Sequence, residues 1–75
     1  MNDDRILDVR GLLCPLPVLK ARKRLISMAV GDRLTLFADD PAALIDVPHF
    51  CAVAGHVLIE QRDDDAGQVY VIERG

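Results

Sequence analysis

The spacing of hydrophobic residues changes twice within the first 38 residues of this chain, and this sequence of changes limits the possible folds more than any other feature. Residues 6–10 are partly alternating and are closed by Gly11, which predicts a short strand. Residues 17–29 place apolar side chains at helical spacing, and residues 33–38 return to alternation. A strand, a helix and a strand predict a right-handed crossover between two parallel strands. The residues that follow the two strands should therefore share one edge of a sheet.

A second helix is predicted after the second of these strands. Residues 39–41, Asp-Asp-Pro, supply a cap and a first-turn proline, and Gly55 provides a stop after a stretch that ends near Ala54. Pro48 lies inside this stretch, where a proline removes a backbone donor and clashes with the preceding turn. We therefore expect two short helical pieces that meet near Val47.

The last part of the chain reads as a β-hairpin. Residues 56–62 and 68–74 are two further strands, and the acid-rich residues 63–67 form a solvated loop between them. The predicted order is βαβαββ, an α/β (α+β) two-layer sandwich in which two helices cover one face of a four-stranded mixed sheet. A chain of 75 residues has room for one core, so we expect a single domain over residues 1–75.

Charge and the N-terminal residues argue against several classes of protein. The formal net charge of -3 disfavours a general nucleic-acid binder, because phosphate contacts need clustered Lys and Arg. No apolar run reaches the roughly 18 residues of a membrane span, and the start of the chain, MNDDR, lacks the basic-then-apolar order of a secretion signal. We therefore expect a cytoplasmic protein without a membrane partner. The two cysteines are too few for a disulfide framework and are expected to be free thiols.

Cys14 begins the motif Cys14-Pro15-Leu16-Pro17 at the predicted corner between the first strand and the first helix. The free amides and the dipole of a helix start favour negative charge, so we expect the Cys14 thiolate to be stabilised. Pro15 and Pro17 fix the backbone and limit the movement of the thiol. Position 17 holds no second cysteine that would resolve a disulfide, which favours a sulfur relay over an oxidoreductase. The alternative is that Cys14 is only a small apolar residue at a turn.

Four segments of the chain carry a resemblance to a known family. Residues 7–17, LDVRGLLCPLP, closely resemble the signature of the TusA/SirA-like sulfur-carrier family, and the likeness continues through residues 31–32, 38–42 and 46–51. The resemblance implies a βαβαββ sandwich in which Cys14 accepts sulfane sulfur from a cysteine desulfurase as a persulfide and passes it to a downstream acceptor protein. Two of the segments, 38–42 and 46–51, look closer to TusA-like members than to paralogues with shorter motifs, and for TusA-like members the resemblance implies a relay that ends in thiolation of the tRNA wobble uridine. Other relatives serve molybdenum-cofactor synthesis or sulfur oxidation.

Two charged residues are candidates for partner binding. Arg22 falls within the predicted apolar stripe of the first helix, where a charge needs a partner, and the resemblance implies that this position helps to engage the desulfurase. Asp40 lies at the predicted Cys14 edge, and the resemblance gives it a similar role. The alternatives are an arginine paired with a neighbouring carboxylate and an aspartate that only caps a helix.

The remaining polar residues have plainer interpretations. Lys20, Lys23 and Arg24 form a basic stripe, which is typical of a solvated helix face. Cys51 follows a phenylalanine in an apolar stretch and is expected to be a buried structural thiol. His49 and Cys51 fall short of the four ligands of a closed zinc site, so we expect no metal and no cofactor.

A sulfurtransferase-type carrier has one rival from another class, a non-catalytic module that binds RNA or protein. Compact two-layer α/β domains of this size bind RNA with the same outline. The negative charge and an aromatic content of 4% count against direct nucleic-acid binding. A carrier that shows its thiol to two partners in turn is expected to be a monomer.

Overall fold

The computed structural model describes residues 5–75 and contains six elements in the predicted order βαβαββ. They are β1 (Ile6–Asp8), α1 (Leu16–Ile26), β2 (Arg33–Ala38), α2 (Ala43–Ala54), β3 (Val57–Asp64) and β4 (Gly67–Glu73). Residues 1–4, which begin the predicted domain and carry the secretion-signal argument, lie outside the described residues. Within the described part of the chain, neither helix has the length and apolar composition to cross a bilayer.

The four strands form one mixed sheet in the order β1-β2-β4-β3. β1 pairs with β2 in parallel, as the crossover predicts, and β4 pairs antiparallel with both β2 and β3. The parallel register places Asp8, the last residue of β1, beside Phe37 near the end of β2. The predicted fold class is confirmed, and the loops that follow β1 and β2 leave the sheet at the same edge.

The hydrophobic core lies between one face of the sheet and the two helices. Alternate residues of β2 and β4 meet in register on this face, with Leu34 opposite Ile72 and Leu36 opposite Tyr70, and all of these side chains are fully buried. One cluster joins them to residues of both helices, which are Ala21 and Leu25 of α1 and Ala43, Val47, Phe50 and Cys51 of α2. Both helices therefore cover one face of the sheet, as predicted.

The backbone of α1 is shorter than the predicted helix over residues 17–29. Leu16 and Pro17 occupy its first turn, where a proline loses no intrahelical hydrogen bond. At the other end, the Ser27 hydroxyl donates to the Arg24 carbonyl at 2.7 Å and satisfies a carbonyl of the last turn. The apolar stripe nevertheless continues beyond the helix to Met28, which packs against the core.

The second helix is continuous, so the predicted break near Val47 is wrong. Pro48 lies inside α2 and removes one backbone hydrogen bond, because proline has no amide proton. The buried residues of α2 lie on both sides of Pro48 and are Ala43, Val47, Phe50 and Cys51. Burial of this apolar face holds both halves against the sheet and offsets the missing bond. The helix ends at Gly55, whose φ of 80° fits the predicted stop.

The β3–β4 hairpin is tighter than predicted. Strand pairing extends to Asp64 and Gly67, so the connection consists of Asp65 and Ala66 in place of a loop over residues 63–67. The Asp64 carboxylate accepts a hydrogen bond from the Ala66 amide at 2.9 Å and closes the turn. A strand tolerates these charged residues because β3 lies at the edge of the sheet, where its side chains reach solvent.

Gly67 lets the start of β4 approach the end of β2 closely. Its φ is +139°, which residues with a side chain rarely adopt, and a Cβ at this position would overlap the Ala38 carbonyl oxygen. The same Cβ would lie 3.1 Å from the Asp39 Cα. The first residue of β4 thus packs against the backbone at the end of β2, where the next loop begins.

We predict that Gly67→Ala lowers the free energy of unfolding by at least about 2 kcal/mol, because it adds steric overlap to backbone strain. Gly55→Ala is the matched control, since Gly55 also has a positive φ but has open space at its Cβ position. This control should lose about 1 kcal/mol from backbone strain alone. Urea unfolding of both variants measures the difference, and equal losses would argue against the close approach.

Candidate functional site

Cys14 is an exposed free thiol at the corner between β1 and α1. It directly precedes Pro15, the N-cap of α1, and the peptide bond between the two residues is cis. Pro17 is buried in the first turn of the helix, so it anchors this corner to the core. The thiol therefore stands just ahead of the helix, with both prolines of the motif on its helical side.

Two aspartates from the loop after β2 hold the loop that carries Cys14. The Asp39 carboxylate accepts a hydrogen bond from the Gly11 amide at 2.9 Å, and the Asp40 carboxylate accepts one from the Cys14 amide at 2.7 Å. The other oxygen of Asp40 accepts from the Ala42 amide at 3.0 Å, in the turn ahead of α2. Asp40 thus caps that turn and also joins it to Cys14. The two aspartates and Cys14 therefore lie at the same edge of the sheet, as the crossover predicts.

A groove of about 360 Å³ opens beside Cys14, between the start of α1 and one face of α2. Its lining residues are Cys14, Pro15 and Val18 on one side and Asp46, His49, Phe50 and Val53 on the other. The α2 residues follow helical spacing and so share one face of the helix. Only the thiol, Asp46 and His49 interrupt an otherwise apolar lining. The thiol therefore borders an apolar surface with one carboxylate close by.

The acidic neighbours of Cys14 overturn the expected stabilisation of its thiolate. A hydrogen bond to the Asp46 carboxylate is the main cause that raises the pKa of the thiol above its ordinary value. Partial desolvation and the negative charges of Asp46 and Asp40 act in the same direction. The dipole of α1 opposes them only weakly, because Cys14 lies ahead of the helix rather than in its first turn. The free protein therefore favours the neutral thiol.

Arg22 lies outside the apolar stripe of α1, contrary to the sequence-based expectation. It follows the buried Ala21, is exposed, and makes no hydrogen bond or ion pair with residues 5–75. It is also absent from the lining of the Cys14 groove. An exposed guanidinium needs no internal partner, because water solvates its charge. The structure thus brings Cys14 and Asp40 together but leaves Arg22 apart from them.

Asp46 is a residue of the site that sequence reasoning missed. Its spacing to Phe50 was the available signal, since the two residues share a helix face. Only the packing of α2 against α1 brings that face to Cys14, and the sequence does not specify this packing. Cys51 is buried as predicted, with 1% of its surface exposed, and burial raises the pKa of its thiol. Residues 5–75 contain no group of three side chains that could hold a metal ion.

The basic stripe of α1 borders a different groove. This second groove, of about 320 Å³, is lined by Leu7, Lys20, Lys23, Arg24 and Ser27. Arg24 is half-buried and donates a hydrogen bond to the Ile6 carbonyl at 3.2 Å, so it links α1 to β1. The two grooves share no residue, which separates the basic stripe from the Cys14 site.

Comparisons with known proteins cover almost all of the described residues. The family model described as Sulfurtransferase TusA matches residues 5–74. Among solved structures, a SirA-like protein from Desulfitobacterium hafniense is similar, with 25% sequence identity and a TM-score of 0.77. The similarity covers 91% of this chain and 92% of that one. The family match therefore includes the Cys14 corner, both helices and all four strands.

We predict that Asp46→Asn lowers the pKa of the Cys14 thiol, because asparagine removes the negative charge that favours the neutral form. The rate of alkylation by a neutral reagent, measured against pH, should rise at a lower pH than in the parent protein. Glu60→Gln is the matched control, since it removes one negative charge from the exposed edge strand β3. If both variants keep the parental profile, Asp46 does not control the thiol.

Proposed function

The chain belongs to the TusA sulfurtransferase family, and from this premise we propose that it is a sulfur carrier whose Cys14 holds sulfur as a persulfide. The observation that carries the proposal is the exposed Cys14 thiol at a corner beside an apolar groove, on a residue whose backbone amide is held by Asp40. The other cysteine, Cys51, is buried in the core. Of the two thiols, Cys14 is therefore the one within reach of another protein.

The proposed transfer is a thiol exchange that moves sulfur without net oxidation. The Cys14 thiol loses its proton, and its sulfur attacks the terminal sulfur of a persulfide on the donor, a cysteine desulfurase. A sulfur–sulfur bond forms on Cys14 and the sulfur–sulfur bond of the donor breaks. The donor cysteine leaves as a thiolate and takes up a proton. The same exchange, with Cys14 as the donor, passes the sulfur to a cysteine of the acceptor protein.

A carrier must keep its sulfur until the acceptor arrives. A second thiol close to the persulfide would displace the sulfur and leave a disulfide. The last residue of the motif, residue 17, is a proline, and the Cys51 thiol is enclosed in the core. The described residues therefore offer no internal thiol that would unload Cys14, which supports storage of the sulfur until an outside nucleophile attacks.

Exposed apolar side chains beside the motif support a docking surface for partner proteins. Leu13 is 68% exposed, Leu16 is 44% exposed and Val53 is 73% exposed. Large apolar side chains that cluster on a surface are typical of protein-binding sites. We propose that the desulfurase and the acceptor bind this surface in turn, with Arg22 and Asp40 as charged contacts. The Arg22 guanidinium is exposed and makes no ion pair within residues 5–75, which suits a contact to another protein.

The proposed pathway ends in thiolation of the tRNA wobble uridine. Residues 38–42 and 46–51 resemble the members with that role, and they contribute Asp40 and most of the α2 side of the groove to the surroundings of Cys14. The net charge of -3 and the carboxylates near the thiol oppose contact with RNA phosphates. The acceptor is therefore expected to be a protein. Because the carrier would show its thiol to two partners in turn, we propose that it is a monomer, and we place its proposed role in the cytoplasm.

We predict that a cysteine desulfurase with cysteine as its substrate adds one sulfur atom to the parent protein, as seen by intact mass, and that reductant removes it. Cys14→Ser should lose this gain, because a serine hydroxyl does not form a persulfide. Cys51→Ala is the matched control and should gain sulfur like the parent, since Cys51 is buried. Sulfur on Cys14→Ser at the parental level would show that Cys14 is not the carrier residue.

Two further outcomes separate the alternatives. If no desulfurase loads the parent protein, the rival module that binds RNA or protein without chemistry becomes the better hypothesis. If the protein is loaded, the 2-thiouridine content of tRNA in cells that lack the carrier decides the pathway. The parent protein should restore this content and Cys14→Ser should not. Loading without restoration would instead favour molybdenum-cofactor synthesis or sulfur oxidation.

A further inference from the structure

Gln68 is a buried polar residue in the described core, with 7% of its surface exposed. It lies on β4 opposite Ala38, the last residue of β2, and this pairing brings it close to the loop that contains Asp40. A buried side-chain amide requires hydrogen-bond partners, because an unsatisfied one lowers stability. The partners of Gln68 therefore indicate what a glutamine does at this position.

The Gln68 amide is engaged through both of its polar atoms. Its Nε2 donates to the Asp40 carbonyl oxygen at 3.3 Å, and its Oε1 accepts from the Tyr70 hydroxyl at 2.9 Å. Tyr70 is fully buried, and burial raises its pKa to about 12, so the hydroxyl keeps the proton that it donates. Tyr70 thus orients the Gln68 amide so that Nε2 faces Asp40.

These contacts connect the centre of the sheet to the exposed cysteine. Asp40 accepts from Gln68 through its carbonyl oxygen and from the Cys14 amide through its carboxylate. Hydrogen bonds therefore run from Tyr70 through Gln68 and Asp40 to the backbone of Cys14. Tyr70 and Gln68 belong to β4, which is paired with a neighbouring strand on each side. A strand that is paired on both sides is thereby connected to the loop that presents the thiol.

The close approach at Gly67 supports the same connection independently. Gly67 precedes Gln68, and the space that a Cβ would need there is occupied by the backbone of Ala38 and Asp39. The start of β4 therefore packs closely against the backbone that precedes Asp40. Gln68 has little freedom to move away from Asp40 without a shift of this contact.

We propose that Gln68 is a positioning residue for Cys14: it holds Asp40 so that the Asp40 carboxylate keeps the Cys14 amide in place. Its effect on sulfur transfer rests on the proposed function. Its effect on the Cys14 backbone rests on the hydrogen bonds themselves. A glutamine that only filled the core would leave the Cys14 loop unaffected when it is replaced.

Hydrogen–deuterium exchange of the Cys14 amide, followed by NMR in the whole protein, tests this role. The test variant combines Gln68→Leu with Tyr70→Phe, which removes both side-chain polar groups together and avoids a buried unsatisfied one. The Asp40 carbonyl oxygen still accepts from the Ala43 amide in this variant. The parent protein is the control, because it retains both the Gln68 donor and the Tyr70 hydroxyl that orients it. The amide of Leu36, in a central strand, reports global stability.

We expect the Cys14 amide to exchange about threefold to tenfold faster in the double variant than in the control, the range that one hydrogen bond provides. The Leu36 amide should change little, and the rate of sulfur loading from a desulfurase should fall. Equal Cys14 exchange in the double variant and the parent protein, or equal acceleration of both amides, would overturn the proposal. A parent protein that takes up no sulfur would overturn the proposed function instead, while the exchange rates would still decide the role of Gln68.

Discussion

The Asp40 carboxylate is the interaction on which the site depends. One of its oxygens accepts from the Cys14 amide and the other accepts from the Ala42 amide, so a single side chain joins the two loops that leave the sheet at one edge. The parallel pairing of β1 and β2 brings these loops together, and the carboxylate then fixes their separation. The neighbouring Asp39 accepts a hydrogen bond from the Gly11 amide and so holds the start of the loop that contains Cys14. The place of the thiol is therefore set by residues from a different part of the chain.

The same acidic surroundings determine the chemical state of the thiol. A thiolate is the nucleophile in thiol exchange, yet Asp46 and Asp40 favour the neutral form of Cys14. A neutral thiol resists oxidation better than a thiolate does, which is an advantage for an exposed cysteine with no neighbouring thiol. For the proposed carrier, activation then falls to the docked partner, whose charges must offset those of Asp46 and Asp40. In this proposal, reactivity belongs to the complex of carrier and donor rather than to the free carrier.

Local periodicity predicts the fold because strand and helix periods are properties of short segments. Residues 33–38 alternate, and β2 has the same bounds. Local rules fail where distant packing decides the outcome. Pro48 predicts a break, but burial of the helix face on both sides keeps α2 whole. Likewise, the rule for helix starts predicts a stabilised Cys14 thiolate, whereas Asp46 from another helix raises the pKa of the thiol. Topology placed Asp40 beside the motif, but no local pattern marks Gln68 as its support.

The account of the Cys14 site is tested most directly by the pKa of its thiol in the whole protein, measured from the rate of alkylation against pH. A peptide of residues 11–17 is the reference. The peptide contains the complete motif but lacks Asp40 and Asp46. The structure predicts that the thiol has a higher pKa in the protein than in the peptide and reacts more slowly at neutral pH. A lower pKa in the protein would contradict the conclusion that carboxylates from outside the motif, rather than the start of α1, set the state of Cys14.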